Sequence, residues 1–192
     1  MMGKSKFEKL TDRLVKMSTW KVVLLGFAMV MTITFLQQVA FHLWGTIKVE
    51  DLRYMFTAEG LEEQVHFSRA FLIGVIYVPL VETLIYQVLI LKIFFYLNYE
   101  FEYKIGLPVI VSALIFGFAH WRIPSTIIDS IIKTICSSLI GLILAYSYAV
   151  FHLSDRKAII NTAIIHGLLN LYSATPALLF IRIYDMFKSL LN

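Results

Sequence analysis

Long apolar runs with almost no charge are the feature that most constrains how this chain can fold. The first runs from Val22 to Trp44, and its only polar side chains are hydroxyls, amides and one imidazole. A helix needs about 20 such residues to cross the hydrocarbon core of a bilayer. Hydrophobic residues make up 59% of the 192 residues and charged residues 16%, whereas a soluble domain is about half apolar and a quarter charged. The sequence therefore predicts a membrane protein.

Further apolar segments follow at intervals suited to a helical bundle. The predicted later spans cover residues 69–92, 105–121, about 134–151 and 158–181. Pro79 lies inside the second span and is expected to kink it. A sixth segment, after Pro176, is interrupted by Arg182 and Asp185, so five and six spans both remain open. The expected fold is all-α, a polytopic transmembrane helix bundle.

The fourth span has small side chains at every fourth position: Ser137, Gly141, Ala145 and Ala149. Small residues on one helix face let two backbones approach closely in lipid. We interpret this stripe as a packing surface inside a compact bundle.

The net charge of +4 is confined to the N-terminal tail, which has six basic and two acidic residues up to Lys21. Basic residues favour the cytoplasmic side, so we predict a cytoplasmic N-terminus. The loops at 92–104 and 155–157 then lie inside, and the acidic segment 50–63 lies outside. The long basic region has no small-residue cleavage site after the first span, which indicates a retained anchor rather than a signal peptide.

Because this basic tail leads directly into an apolar segment, it indicates a lipid leaflet as its partner and not nucleic acid. We divide the chain into two parts. Residues 1–68 hold the basic tail, the first anchor and the acidic external segment. Residues 69–192 are expected to form the core that carries the functional site.

Ionisable side chains inside the predicted spans are the main functional signal, since each is costly to bury in lipid. Glu82 lies near the middle of the second span, and His120 lies at the end of the third. Thr162, His166 and Asn170 follow one face of the fifth span at four-residue spacing. A lone Glu or His is more often a hydrogen-bonded structural residue. A glutamate and two histidines on three spans instead predict one shared polar site inside the bundle.

Several chemistries fit such a site. A carboxylate and an imidazole within reach of one water can deprotonate it, and a second imidazole with an amide can stabilise an oxyanion. The same groups also suit a metal ion or a proton path. Spacing alone leaves these alternatives open.

Three motifs carry a family resemblance. ETLIYQ begins at Glu82, FGFAH ends at His120, and HGLLN runs from His166 to Asn170. Together they resemble the EExxxR, FxxxH and HxxxN/D motifs of the CPBP (CAAX protease and bacteriocin-processing, or Abi) family, which includes the type II CAAX prenyl endopeptidases. The resemblance covers about residues 70–173. Any one motif is a weak signal, but all three in order on predicted spans are a strong one.

The resemblance implies an intramembrane glutamic endopeptidase that uses neither a metal ion nor another cofactor. It implies that Glu82 and His120 activate a water molecule, and that His166 and Asn170 stabilise the tetrahedral oxyanion. No HExxH zinc motif is present in the sequence. The implied partner, besides the lipid bilayer, is a peptide or protein substrate cleaved near the membrane.

The first motif departs from the family pattern. Thr83 and Gln87 stand where the family usually has its second Glu and its Arg. These residues are i and i+4, so we expect them to face each other as a neutral hydrogen-bonding pair, which costs less to bury than an ion pair. We interpret this motif as a variant that keeps the catalytic base, Glu82, and in which Thr83 and Gln87 support it.

Two other classes of function remain open. A non-proteolytic membrane binding or bacteriocin-immunity protein on the same scaffold would keep its cellular phenotype when Glu82 is replaced. A small transporter or proton channel would conduct ions and release no peptide, although the absence of a repeated half in the sequence weighs against it. The resemblance and the short chain favour a prokaryotic cytoplasmic membrane.

Overall fold

The computed structural model describes residues 6–43, 72–97, 105–121 and 126–172. Within these ranges the chain is helical apart from short connections, and no strand occurs. The helices are α1 Lys6–Lys16, α2 Thr19–Leu43, α3 at residues 73–97, α4 Gly106–Ala119, α5 Ile127–Leu153 and α6 Ala158–Tyr172. The all-α prediction is confirmed. The predicted acidic segment, Pro176 and the sixth segment lie outside the described residues.

In this part of the chain, three helices are long and apolar enough to cross a membrane: Thr19–Phe41 within α2, Ile73–Phe94 within α3, and α5. The described parts of α4 and α6 are shorter apolar helices. Large apolar side chains face outward, including Leu24, Ile76 and Phe118, which are 60%, 62% and 65% exposed. Such an apolar exterior suits lipid rather than water as the surrounding solvent.

The prediction that the fourth span starts at about residue 134 was wrong, because α5 begins at Ile127. The Thr126 side chain accepts a hydrogen bond from the Asp129 N–H at 3.2 Å and so caps the helix. Asp129 lies in the first turn, where the helix dipole favours a negative charge. The apolar run at residues 134–151 covers only part of this longer helix.

α3 alternates between π-helical and α-helical turns. Its π-helical segments are Ile73–Tyr77 and Thr83–Leu89, and the α-helical segment Val78–Glu82 between them contains Pro79. Proline has no N–H to donate to the carbonyl four or five residues earlier, and π-helical turns often occur at functional sites. The predicted kink at Pro79 remains a prediction.

α5 is the central helix and packs against α1, α2, α3 and α4. Its small-residue stripe is buried, with Ala145 and Ala149 fully inaccessible. A Cβ on Gly141 would lie 2.9 Å from Phe116 Cβ, and one on Gly117 would lie 1.8 Å from Ser138 Oγ. The stripe therefore allows α4 and α5 to pack closely, as its spacing indicates.

The N-terminal helices belong to the same bundle. One hydrophobic core joins Leu14 and Val23 to residues of α3, α4, α5 and α6. Arg156 Nη2, between α5 and α6, donates to Val15 O at 2.7 Å and also to Met17 O, so it satisfies carbonyls at the end of α1. The division of the chain at residue 68 stays a prediction.

Candidate active site

Three helices place ionisable side chains beside one another. Glu82 lies on α3 where the second π-helical segment begins, His120 is the residue that ends α4, and His166 lies in the middle of α6. The rings of His120 and His166 both pack against Phe116, and Glu82 lies beside His166. The structure thus brings together three residues that the motifs singled out, although they are far apart in sequence.

The closest contact in this cluster joins α3 to α6. Nε2 of His166 lies 3.4 Å from Oε2 of Glu82. The His166 side chain is 4% exposed and the Glu82 side chain 24% exposed, so the carboxylate stays accessible from one side while the imidazole is enclosed. A small molecule such as water can therefore reach the carboxylate.

The His120 ring is oriented by its own helix. Nδ1 lies 2.8 Å from the Phe116 carbonyl oxygen one turn earlier. Because a carbonyl oxygen only accepts hydrogen bonds, Nδ1 must carry the proton. The Nε2 lone pair of the neutral ring is then available to accept a proton, as a general base requires.

Phe116 is the aromatic centre around which the site is packed. Its ring centroid lies 4.4 Å from that of His120, 5.7 Å from that of His166 and 5.5 Å from that of Tyr86. Phe116 is 2% exposed, and the missing side chain of Gly141 gives it room. The sequence marked Phe116 as a motif residue but not as the contact common to both histidines, which depends on how α4 and α6 pack.

Asn170 makes its hydrogen bond to the main chain of α3. Its Nδ2 donates to the Gly74 carbonyl oxygen at 2.8 Å. Pro79 follows five residues after Gly74 and cannot donate to this carbonyl, so the amide of Asn170 supplies a donor that α3 lacks. Close by, a Cβ on Gly167 would lie 2.6 Å from Val75 O, which shows how tightly α6 approaches α3 here.

Thr83 and Gln87 are both fully buried, but the expected hydrogen bond between their side chains is absent. Among the described residues, Thr83 Oγ1 has no hydrogen-bond partner. With its NH₂ group facing acceptors, Gln87 donates to the main-chain oxygens of Glu82 at 3.1 Å and Thr83 at 3.2 Å. The expectation failed because the Gln87 amide donates to these main-chain oxygens of its own helix instead of to the Thr83 hydroxyl.

Two further buried polar atoms lie on α6, Thr162 Oγ1 and His166 Nδ1, and neither has a hydrogen-bond partner in the part of the chain that the structure describes. Thr162 is fully buried, one turn before His166. Buried polar atoms normally have partners. These atoms, like Thr83 Oγ1, are enclosed and leave hydrogen-bonding capacity unused inside the bundle.

An apolar groove of about 410 Å³ runs between α3 and α6 beside this cluster. Val75 and Leu80 line it from α3, and Ile164, Gly167 and Leu168 line it from α6. Gly167, which follows His166 in sequence, lines this groove, whereas Glu82, His120 and His166 are not among its lining residues. Among the described residues, no group of three or more His, Cys, Asp or Glu side chains is arranged to hold a metal ion.

These features define an integral membrane protein whose polar site lies inside an all-α bundle. Residues 64–172, more than half of the chain, match the model of a family described as type II CAAX prenyl endopeptidase Rce1-like. The chain belongs to this CAAX-type protease family, as the three motifs predicted. No curated protein and no solved structure matched the chain. α1 and α2 lie outside the matched region.

Proposed function

We propose that this protein is an intramembrane endopeptidase that cleaves a peptide bond near the membrane surface by attack of a water molecule. The observation that carries this proposal is the meeting of three helices at one polar site, where Glu82 contacts His166 and Phe116 packs against the rings of His166 and His120. Membership of a CAAX-type protease family supports the same reaction class.

Glu82 and His120 are the residues proposed to activate the water molecule. The carboxylate of Glu82 takes one proton from the water molecule while Nε2 of His120 accepts a hydrogen bond from it, and the water oxygen then bonds to the scissile carbonyl carbon. The electron pair of the carbonyl π bond moves to its oxygen. When this tetrahedral intermediate collapses, the C–N bond breaks and the amine leaves with a proton returned by the base.

His166 and Asn170 are the proposed oxyanion donors. Nε2 of His166 faces the Glu82 carboxylate at 3.4 Å, so an N–H there lies beside the place where the water attacks. One hydrogen of the Asn170 amide is given to Gly74 O, and its second hydrogen remains available. Donors fixed in advance in a site of low polarity stabilise a developing charge strongly.

The proposed substrate combines a peptide with an apolar group. The groove beside His166 is lined by aliphatic side chains, and the matched family is described by its action as a prenyl endopeptidase. A lipid-modified or hydrophobic segment seated between α3 and α6 would place the adjoining peptide bond near Glu82. Thr83 and Gln87 keep this part of α3 neutral.

The test is cleavage of membrane-proximal peptides, including prenylated ones, by the purified protein in liposomes with a chelator present. Products are identified by mass spectrometry for the wild type and for Glu82→Gln, His120→Ala and Thr83→Ala. We expect the wild type to cleave despite the chelator, Glu82→Gln and His120→Ala to be inactive, and Thr83→Ala to retain activity.

Two outcomes would contradict the proposal. If chelation abolishes cleavage and an added metal restores it, the metal-independent mechanism is wrong. If the wild type releases no peptide and Glu82→Gln keeps the cellular phenotype, the scaffold serves binding or immunity. Measurement of ion flux in the same liposomes tests the transporter alternative.

A further inference from the structure

A second apolar cavity, of about 320 Å³, lies beneath α1 and away from Glu82. Residues of α1, α2, α4 and α5 line it, and among the described lining residues only Tyr146 and Ser147 carry hydroxyl groups. Leu10 on α1 and Leu25 and Met29 on α2 line it and are 48%, 43% and 48% exposed. The cavity therefore opens to the surroundings along α1 and α2.

α1 lies where a membrane surface begins, because α2, the first helix that can span a bilayer, starts at Thr19. It is held there by the Thr11 Oγ1 contact with Tyr146 OH at 2.9 Å and by Arg156 at its end. An amphipathic helix in this position lies along the interface with its apolar face towards the acyl chains.

A basic stripe follows α1 beside the cavity. Lys9, Arg13 and Lys16 are exposed and spaced at i, i+4 and i+7, so they share one face. Leu10 and Leu14 line the cavity. Each directly follows a residue of the basic stripe in sequence, so its side chain leaves the helix about 100° further round. Asp12, also exposed, lies i+3 from Lys9, so this side of α1 carries three basic groups and one acidic group beside the apolar cavity.

We propose that this site binds an anionic phospholipid, with one acyl chain in the cavity and the phosphate of its headgroup against Lys9, Arg13 and Lys16. Positive charge beside an apolar cavity at the membrane surface complements the two parts of such a lipid. The site is built mainly from α1, α2 and α5, and α1 and α2 lie outside the family-matched residues. It is independent of the peptidase reaction.

Native mass spectrometry of the detergent-purified full chain tests this proposal, using phosphatidylglycerol and phosphatidylcholine with identical acyl chains. We expect the wild type to retain phosphatidylglycerol preferentially. Removal of one basic charge should weaken that preference about fivefold. Arg13→Glu combined with Lys16→Glu should therefore abolish it, while Lys92→Glu, at an exposed position on α3, should leave it unchanged.

A second pair of matched variants tests whether an acyl chain occupies the cavity. Leu25→Trp fills the cavity and should reduce retention of both lipids. Leu24→Trp, at a 60% exposed neighbour that does not line the cavity, should not. Thermal unfolding in detergent checks that each variant folds.

The wild type alone also provides a test that needs no variant to fold. Equal retention of the two lipids would overturn the headgroup assignment. Displacement of phosphatidylglycerol by soluble glycerol 3-phosphate would overturn the cavity assignment, because binding would then rest on the phosphate alone.

Discussion

Oε2 of Glu82 and Nε2 of His166 lie 3.4 Å apart, although 84 positions separate the two residues in sequence (166 − 82 = 84). The contact joins the middle of α3 to the middle of α6, and Phe116 packs against the rings of both His166 and His120. The imidazole is buried and the glutamate side chain is mostly buried, and turning either group outward into lipid would be costly. This geometry makes the proposed mechanism testable by substitution.

Glu82→Gln should abolish peptide cleavage without unfolding the protein. The amide has nearly the same size as the carboxylate but cannot take a proton from water, and the loss of a general base costs about 10²–10⁴-fold in rate. The turnover rate in liposomes is the measurement. Glu8→Gln, the same exchange on α1, is the control and should keep wild-type turnover. Wild-type turnover in Glu82→Gln would show that Glu82 is not the base.

Glu82→Gln and His166→Asn should be strongly non-additive when combined. When two residues act as one catalytic unit, removing either one already loses most of the rate acceleration that they supply together. The double variant should therefore be little slower than the slower single variant. The measurement is a double-mutant cycle, in which single-turnover rates are compared for the wild type, the two single variants and the double variant. Rate losses that simply multiply would indicate two groups that act independently, contrary to the proposed shared site.

Asn170→Ala should lower the free energy of unfolding by about 1–3 kcal/mol, since it leaves the Gly74 carbonyl without its side-chain donor. Pro79→Ala restores a main-chain N–H to α3. In the Pro79→Ala variant, we therefore expect Asn170→Ala to lower the free energy of unfolding by a smaller amount. Unfolding in detergent of the wild type, the two single variants and the double variant measures how far the two substitutions depend on each other. An equal cost in both backgrounds would show that Asn170 does not compensate for the proline.

Gly117→Ala should destabilise the bundle by about 1–3 kcal/mol through overpacking. Its Cβ would lie 1.8 Å from Ser138 Oγ and 2.8 Å from the main-chain oxygen of Thr134, and the latter cannot rotate away. Gly106→Ala, on the same helix, meets nothing within 4 Å and should leave stability unchanged or slightly higher. Thermal midpoints of the two variants provide the comparison, and equal midpoints would contradict the observed α4–α5 packing.

The sequence by itself determined the membrane class, the all-α fold and the family. Apolar runs can satisfy their main-chain hydrogen bonds in lipid only as helices or closed barrels, and the three motifs placed Glu82, His120 and His166 on separate helices. The match of residues 64–172 to the family model confirms the family. The catalytic roles of these residues remain predictions.

Tertiary structure decided which atoms meet. No periodicity in the sequence indicated that α3 takes π-helical turns around Pro79. Nor did it indicate that the Gln87 amide donates to main-chain oxygens of its own helix, so that the expected hydrogen bond to Thr83 is not made. Likewise, Asn170 lies one turn beyond His166 in sequence, yet it donates to the main chain of α3. Residue spacing fixes which side chains share a face of one helix, whereas the partner across the interface depends on helix register, which only the packing of the whole bundle sets.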